Sequence, residues 1–230
     1  MGSSSGIPVE GGQVRLVSLV TGLEHPWGLA FLPGGDMLVT ERPGRLRIIR
    51  DGALVPDPVE GVPEVSARGQ GGLLDVRLHP GFQENRWVYL TYAKPVEGGA
   101  TTALFRGRLE GDRLVDGEEL FVADAATGAG QHFGSRLAFD GEGHLFMTVG
   151  DRGDRNAAQD RSNHQGSVLR LLDDGSVPPD NPFVGQEGVR PEIWSWGHRN
   201  PQGLTIHPGT GGLWATEHGP QGGDELHRIL

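Results

Sequence analysis

HPWGLAFLPGGDMLVTER, residues 25–42, is the stretch on which the fold turns. Two alternating apolar runs, WGLAF and MLVTE, flank a Pro/Gly turn, the signature of antiparallel strands joined as a hairpin. The pattern returns three times, as GLLDVRLHPGFQENRWVYLTYA (72–93), SRLAFDGEGHLFMTVGD (135–151) and NPQGLTIHPGTGGLWATEHG (200–219). With Pro33, Pro80, Asp140 and Pro208 as equivalent turn positions, the copies stand 47, 60 and 68 residues apart. Propeller blades repeat every ~40–45 residues and take insertions in their loops. The period therefore predicts an all-β chain, a β-propeller of about four blades.

Working outward, RLRIIRDGALV, ALFRGRLEGDRLV and VLRLLDDGSV supply the outer strands of the blades, with their charges expected on solvated outer edges. GDRGDRNAAQDRSNHQ, residues 151–166, is polar and turn-rich, and reads as a long loop of the kind that carries function. After the fourth hairpin only QGGDELHRIL remains, too little to finish a blade, so residues 7–230 read as an incomplete propeller, blades 1–4, behind a leader over residues 1–6. An open propeller exposes sheet faces through which copies can associate.

Composition agrees with many short elements: 39 glycines and 16 prolines are spread through 230 residues. The net charge of -10 excludes a nucleic-acid partner, which needs a concentrated basic surface. With no cysteine there is neither a disulfide framework nor a thiolate metal site. No apolar run reaches the ~20 residues of a membrane span. The opening MGSSSG lacks the regions of a signal peptide and reads as a leader or a trimmed start.

Just before the first strand of each hairpin stands a polar cluster: His25, Pro26 and Trp27; Arg68 and Gln70; Gln131, His132 and Arg136; His198, Arg199 and Asn200. Taken singly, such residues satisfy strand-end backbone groups. As a set they occupy matching positions, and equivalent propeller loops meet around the central channel, so they are expected to build one pocket. His132 is the candidate base, because an imidazole accepts a proton at neutral pH. Asp151 ends the second strand of the same hairpin, which can return it to His132 to fix the ring's tautomer. Asp151 can equally be an Asp that starts a turn before Gly153.

Other chemistries lack their motifs. GDRGDRNAAQD has neither the spaced ligands and closing Glu of an EF-hand nor the lysine of a phosphate loop. No HExxH or GxSxG sequence occurs, which leaves zinc-protease and serine-hydrolase readings without an anchor. TEHGPQGGDEL (216–226) offers backbone oxygens with Glu217, Asp224 and Glu225, an acidic turn whose hard ligands suit calcium.

Together HPWGLAFLPGGDMLVTERPGRL, RGQGGLLDVRLHPGF, GQHFGSRLAFDGEGHLFMTVGD, WSWGHRNPQGL and TEHGPQGGDEL make the chain resemble the soluble quinoprotein glucose/sorbosone dehydrogenases, particularly the bacterial aldose sugar dehydrogenases. The resemblance implies a six-bladed propeller using pyrroloquinoline quinone (PQQ) and Ca2+, periplasmic or secreted in the parent protein. It makes His132 the catalytic base, Asp151 its orienting acid, Gln70 a ligand on the cofactor and substrate side, and Arg199 and Asn200 paired cofactor contacts. The carbonyls of Gly219 and Pro220 match calcium ligands, and Glu225 matches a ligand of a second, structural calcium. It further implies that His132 takes the anomeric hydroxyl proton of an aldose while the C1 hydride passes to the quinone, giving a lactone, with Arg199 steadying developing charge. The electron acceptor is not implied.

The family's remaining cofactor-binding residues belong to blades beyond Leu230, so this chain alone is expected to bind the quinone weakly and turn over poorly. Two other readings stand beside the dehydrogenase. A noncatalytic propeller binding a carbohydrate or protein in the channel has no need of the His132–Asp151 pair. A propeller hydrolase needs convergent carboxylates around a metal, whereas these loops offer mainly Gln, Arg, Asn and His.

Overall fold

The computed structural model describes residues 7–230, so the leader expected over residues 1–6 lies outside the described residues. In chain order the strands are β1 (Ile7–Val9), β2 (Gly12–Val14), β3 (Pro26–Phe31), β4 (Met37–Glu41), β5 (Arg45–Arg50), β6 (Ala53–Leu54), β7 (Leu73–Leu78), β8 (Trp87–Val96) and β9 (Gly99–Glu110). They continue as β10 (Arg113–Val122), β11 (Leu137–Phe139), β12 (His144–Val149), β13 (Ser167–Leu172), β14 (Ile193–Trp196), β15 (Pro201–Ile206), β16 (Leu213–Glu217) and β17 (Glu225–Ile229). A four-residue helix, α1 (Phe82–Asn85), enlarges the β7–β8 turn.

Strands β1 and β2 form an exposed hairpin, and the others form four antiparallel sheets in sequential order: β3 to β6, β7 to β10, β11 to β14, and β15 to β17. These are four blades of a β-propeller. Each hairpin legible in the sequence supplies the first two strands of a blade, in the registers Leu29↔Val39, Val76↔Leu90, Ala138↔Phe146 and Leu204↔Ala215.

Side-chain alternation explains why the middle strands read as nearly continuous apolar runs. Successive residues point to opposite faces of a sheet, and each inner blade has a neighbour on both faces. In β8, Val88 and Leu90 pack with Leu38, Ile48 and Leu73 of the first interface, while Tyr89 between them packs with Leu137 and Leu145 of the second. In β12, Leu145 and Met147 face the second interface and Phe146 faces Leu204 and Ala215 of the third. Fully burying each such side chain stabilises the fold by ~1.5–3 kcal/mol.

A threonine recurs at every blade junction. The hydroxyls of Thr40, Thr91 and Thr148, on the second strands, each accept a backbone N–H of their own blade's first strand or the residue leading into it, from Gly28, Asp75 and Arg136. Each then donates to a carbonyl at the start of the next blade, Leu74, Ser135 and Pro201 respectively. Each hydroxyl thus satisfies one donor and one acceptor where strand pairing is interrupted by a bulge or has not begun.

The outer-strand charges are not all solvated as expected. Arg47 is 8% exposed and Arg170 5% exposed, because the third strand of a blade is still covered by neighbours. Arg47 bonds Glu41 and the carbonyls of Val55 and Pro56, and Arg170 bonds Asn181, Asp180 and His144. Leu29 and Phe31 on the first blade and Leu226 on the fourth are exposed, so the open faces carry apolar side chains.

Candidate active site

Three blades hold the segment that carries His132. Its backbone N–H donates to Gln70 Oε1 at 2.8 Å, from the second blade, and the Gly134 N–H donates to Asn200 Oδ1 at 3.2 Å, ahead of the fourth. Ser135 N–H donates to the Thr148 carbonyl at 2.7 Å within the third. His132 and Ser135 have φ of 55° and 80°, left-handed values that a non-glycine residue adopts only where surrounding bonds enforce them. The backbone is bent so that the imidazole is buried against one partner.

That partner is Asp151. His132 Nδ1 lies 2.6 Å from Asp151 Oδ1, which also accepts the Gly153 N–H at 2.7 Å. Asp151 is fixed from below by its own N–H, which donates to the Arg199 carbonyl at 2.7 Å. A carboxylate on Nδ1 holds the proton there and leaves Nε2 as the basic atom. Among the described residues no hydrogen bond reaches Nε2 of His132.

His132 and Asp151 line a cavity of about 370 Å³ with Gln131, Arg155, Gln159, Arg199 and Pro220. Arg199 is steadied by its Nη1 bond to the His218 carbonyl at 2.8 Å and its N–H bond to Glu217 at 3.1 Å. Gln70 and Asn200 line a neighbouring cavity of about 280 Å³ with Trp27, Arg42, Gln202 and His218. Gln70 and Asn200 are joined to the His132 segment by the two bonds already given. Of the residues singled out in the sequence, Gln131, His132, Asp151, His198, Arg199 and Pro220 thus share one cavity, and Gln70 and Asn200 brace it.

Gly219 begins the tight 219–223 turn, where its N–H donates to Asp224 Oδ1 at 2.9 Å and a Cβ would lie 2.3 Å from the Gly223 carbonyl oxygen. Glu225 is not in the cavity; its carboxylate lies 2.9 Å from His227 Nε2. Arg136, grouped with the polar clusters, is a girder: it bonds Asp75 at 2.8 Å and the Gln202 carbonyl at 2.7 Å, over the Trp27 ring. Arg68 lines a separate cavity of about 90 Å³, and His25 is exposed.

Three side chains at or beside the cavity escaped the sequence reading. Arg155 and Gln159 come from the 151–166 loop, whose length and polarity were the available signal. Arg152 is buried, and its guanidinium donates to the carbonyls of Gln131, Ala100, Ala125 and Ala129 above the Phe133 ring. Burial pushes Arg152 down to about 10, against the opposing pull of Asp151. Burial raises Glu217, but bonds from His198 and the Arg199 N–H outweigh it and hold Glu217 below the usual carboxylate range.

The family model for glucose/sorbosone dehydrogenase matches residues 23–230. The aldose sugar dehydrogenase YliI of Escherichia coli is 47% identical over 209 residues, covering 89% of this chain and 56% of that protein. Quinoprotein glucose dehydrogenase B of Acinetobacter calcoaceticus is 30% identical over 241 residues, covering 92% of this chain and 50% of that protein. The chain thus spans about half the length of these relatives. Among solved structures, the PQQ-bound aldose sugar dehydrogenase of Streptomyces coelicolor superposes with a TM-score of 0.81 at 33% identity, covering 93% of this chain and 62% of that one. Four blades, five ordered motifs and a match over 23–230 lead to one conclusion: the chain belongs to the glucose/sorbosone dehydrogenase family.

Proposed function

We propose that this chain carries the base and part of the cofactor cradle of a PQQ-dependent aldose dehydrogenase, which oxidises the anomeric C1 hydroxyl of a sugar to a lactone. The observation that carries the reading is the His132–Asp151 pair, 2.6 Å apart on the wall of a cavity that Arg155, Arg199, Gln131 and Gln159 also line. His132 Nε2 takes the hydroxyl proton, and Asp151 stabilises the imidazolium that results. PQQ supplies the hydride acceptor that no side chain can provide.

The donor set fits such a group. Arg155, Arg199, Gln131 and Gln159 are cationic or amide donors, suited to an anionic quinone bearing several carboxylates. Arg199 meets negative charge as C1 is oxidised. The carbonyls of Gly219 and Pro220 are the assigned calcium ligands, and Pro220 borders the same cavity. Glu225 is assigned to a second calcium on the family resemblance alone. The periplasmic or secreted setting belongs to the same proposal.

The test is an absorbance titration of the chain with PQQ and Ca2+, followed by sugar-dependent reduction of a redox dye. Weak but saturable quinone binding is expected, because the chain spans about half the length of its relatives. In the full-length protein, His132→Ala retains quinone binding and loses oxidation. Oxidation unchanged by His132→Ala overturns the assignment, and quinone binding absent from the full-length protein favours a noncatalytic propeller.

A further inference from the structure

We propose that His198, Glu217 and His227 form a site for one divalent transition-metal ion of the zinc class, separate from the calcium position at Gly219 and Pro220. The three side chains converge from two directions. Strands β16 and β17 pair Ala215 with His227 and Glu217 with Glu225, so Glu217 and His227 are diagonal neighbours on one face. His198 arrives from the loop before β15, its N–H anchored on the Gly166 carbonyl at 2.9 Å.

Glu217 Oε2 lies 3.4 Å from His198 Nδ1, and Glu217 Oε1 lies 3.4 Å from His227 Nε2. Two ligand atoms each ~2.1 Å from a shared ion at a tetrahedral angle stand about 3.4 Å apart. One ligand atom from each residue lies within 4.8 Å of the others. His227 Nε2 is buried and, among the described residues, has no hydrogen-bond partner; its approaches to Glu217 and Glu225 are out of line. A buried imidazole nitrogen without a partner is a cost that a metal ion removes.

The orientation of His198 is set as metal ligands usually are. Ser195 Oγ occupies its Nε2 at 2.8 Å, which turns Nδ1 toward Glu217. Two imidazoles and one carboxylate select zinc, cobalt, nickel or copper over calcium and magnesium, which prefer oxygen. Water can complete the shell. The other group of this kind, Asp140, Glu142 and His144, is closed to a cation because the Arg170 guanidinium already sits 2.8 Å from His144 Nε2. An ion at Glu217 ties β16 and β17 to the loop that carries Arg199 and Asn200, since Glu217 also accepts the Arg199 N–H.

Calorimetric titration of the metal-free chain with Zn2+ tests this, with Co2+ as a spectroscopic probe. Expected are one Zn2+ per chain, no displacement by excess Ca2+, and the intense visible bands of four-coordinate Co2+. His227→Gln and, separately, His198→Gln weaken Zn2+ binding by about 100-fold, the upper end of what losing even an outer partner of a metal ligand costs. Both abolish the cobalt bands while the metal-free melting temperature shows the fold intact. His218→Gln, at an exposed histidine nearby, leaves binding unchanged. No stoichiometric Zn2+ binding, displacement by Ca2+, or Zn2+ affinity unchanged by either substitution overturns the proposal.

Discussion

Gly150 and His132 meet so closely that a Cβ on Gly150 would stand 2.1 Å from the His132 carbonyl oxygen. A single hydrogen at residue 150 lets the end of β12 press against the His132 segment, and that approach delivers Asp151 to the imidazole. The backbone atom in the way belongs to a segment pinned by Gln70 and Asn200, so it has no room to retreat.

Gly150→Ala should therefore destabilise the fold by about 1–3 kcal/mol, the usual cost of overpacking. It should also broaden or remove the downfield proton resonance of the His132 Nδ1 hydrogen bond. Urea unfolding and proton NMR check the two effects together.

Asp151→Asn preserves shape but offers an amide in place of the carboxylate, which favours the wrong tautomer of His132. In the dehydrogenase proposed above, turnover should fall on the order of 10⁴-fold, as when an orienting Asp of a catalytic triad is replaced by Asn. KM should change far less, and steady-state kinetics separates the two parameters.

Arg152→Met leaves the carbonyls of Gln131, Ala100, Ala125 and Ala129 without their shared donor. A loss of about 3 kcal/mol is expected, because buried acceptors left unpaired cost ~1–3 kcal/mol each and some will find water. Arg152→Lys should recover only part of it, since an ammonium cannot span the fork. Denaturant midpoints decide the order.

Acid should unfold the chain through identifiable carboxylates. Burial raises Glu41, Asp140 and Glu192, but bonds from Arg45, from the His144 backbone and from His164 respectively outweigh it and hold all three below their ordinary values. Groups depressed in the folded state bind fewer protons there than in the unfolded chain, so their contribution is full above about pH 4.5 and is lost as pH falls through their folded values. Urea midpoints should drop steeply below pH 4.5. Glu41→Gln should lower the neutral-pH unfolding free energy by roughly 3 kcal/mol, the cost of leaving a buried partner uncompensated, and flatten the acid slope.

The sequence disclosed the fold through its hairpins because alternation and turn chemistry are local: WGLAF and MLVTE, joined by PGGD, state their pairing within 18 residues. His132 and Asp151 were legible for the same reason, as two ends of one hairpin. Arg152 was not, because its meaning lies in four carbonyls that only the folded loops bring together. Arg47 and Arg170 misled in the opposite direction. Their charge advertises solvent, and only packing shows both guanidiniums buried among the groups that bond them.

The threonine junctions bear on how such a molecule is inherited. Each inner blade carries both halves of a joint: an acceptor carbonyl at its entrance and, one strand later, the hydroxyl that reaches the following blade. A blade copied whole brings its fastening at each side, so tandem duplication lengthens the array without inventing an interface, and damage such as Thr91→Val stays confined to one seam.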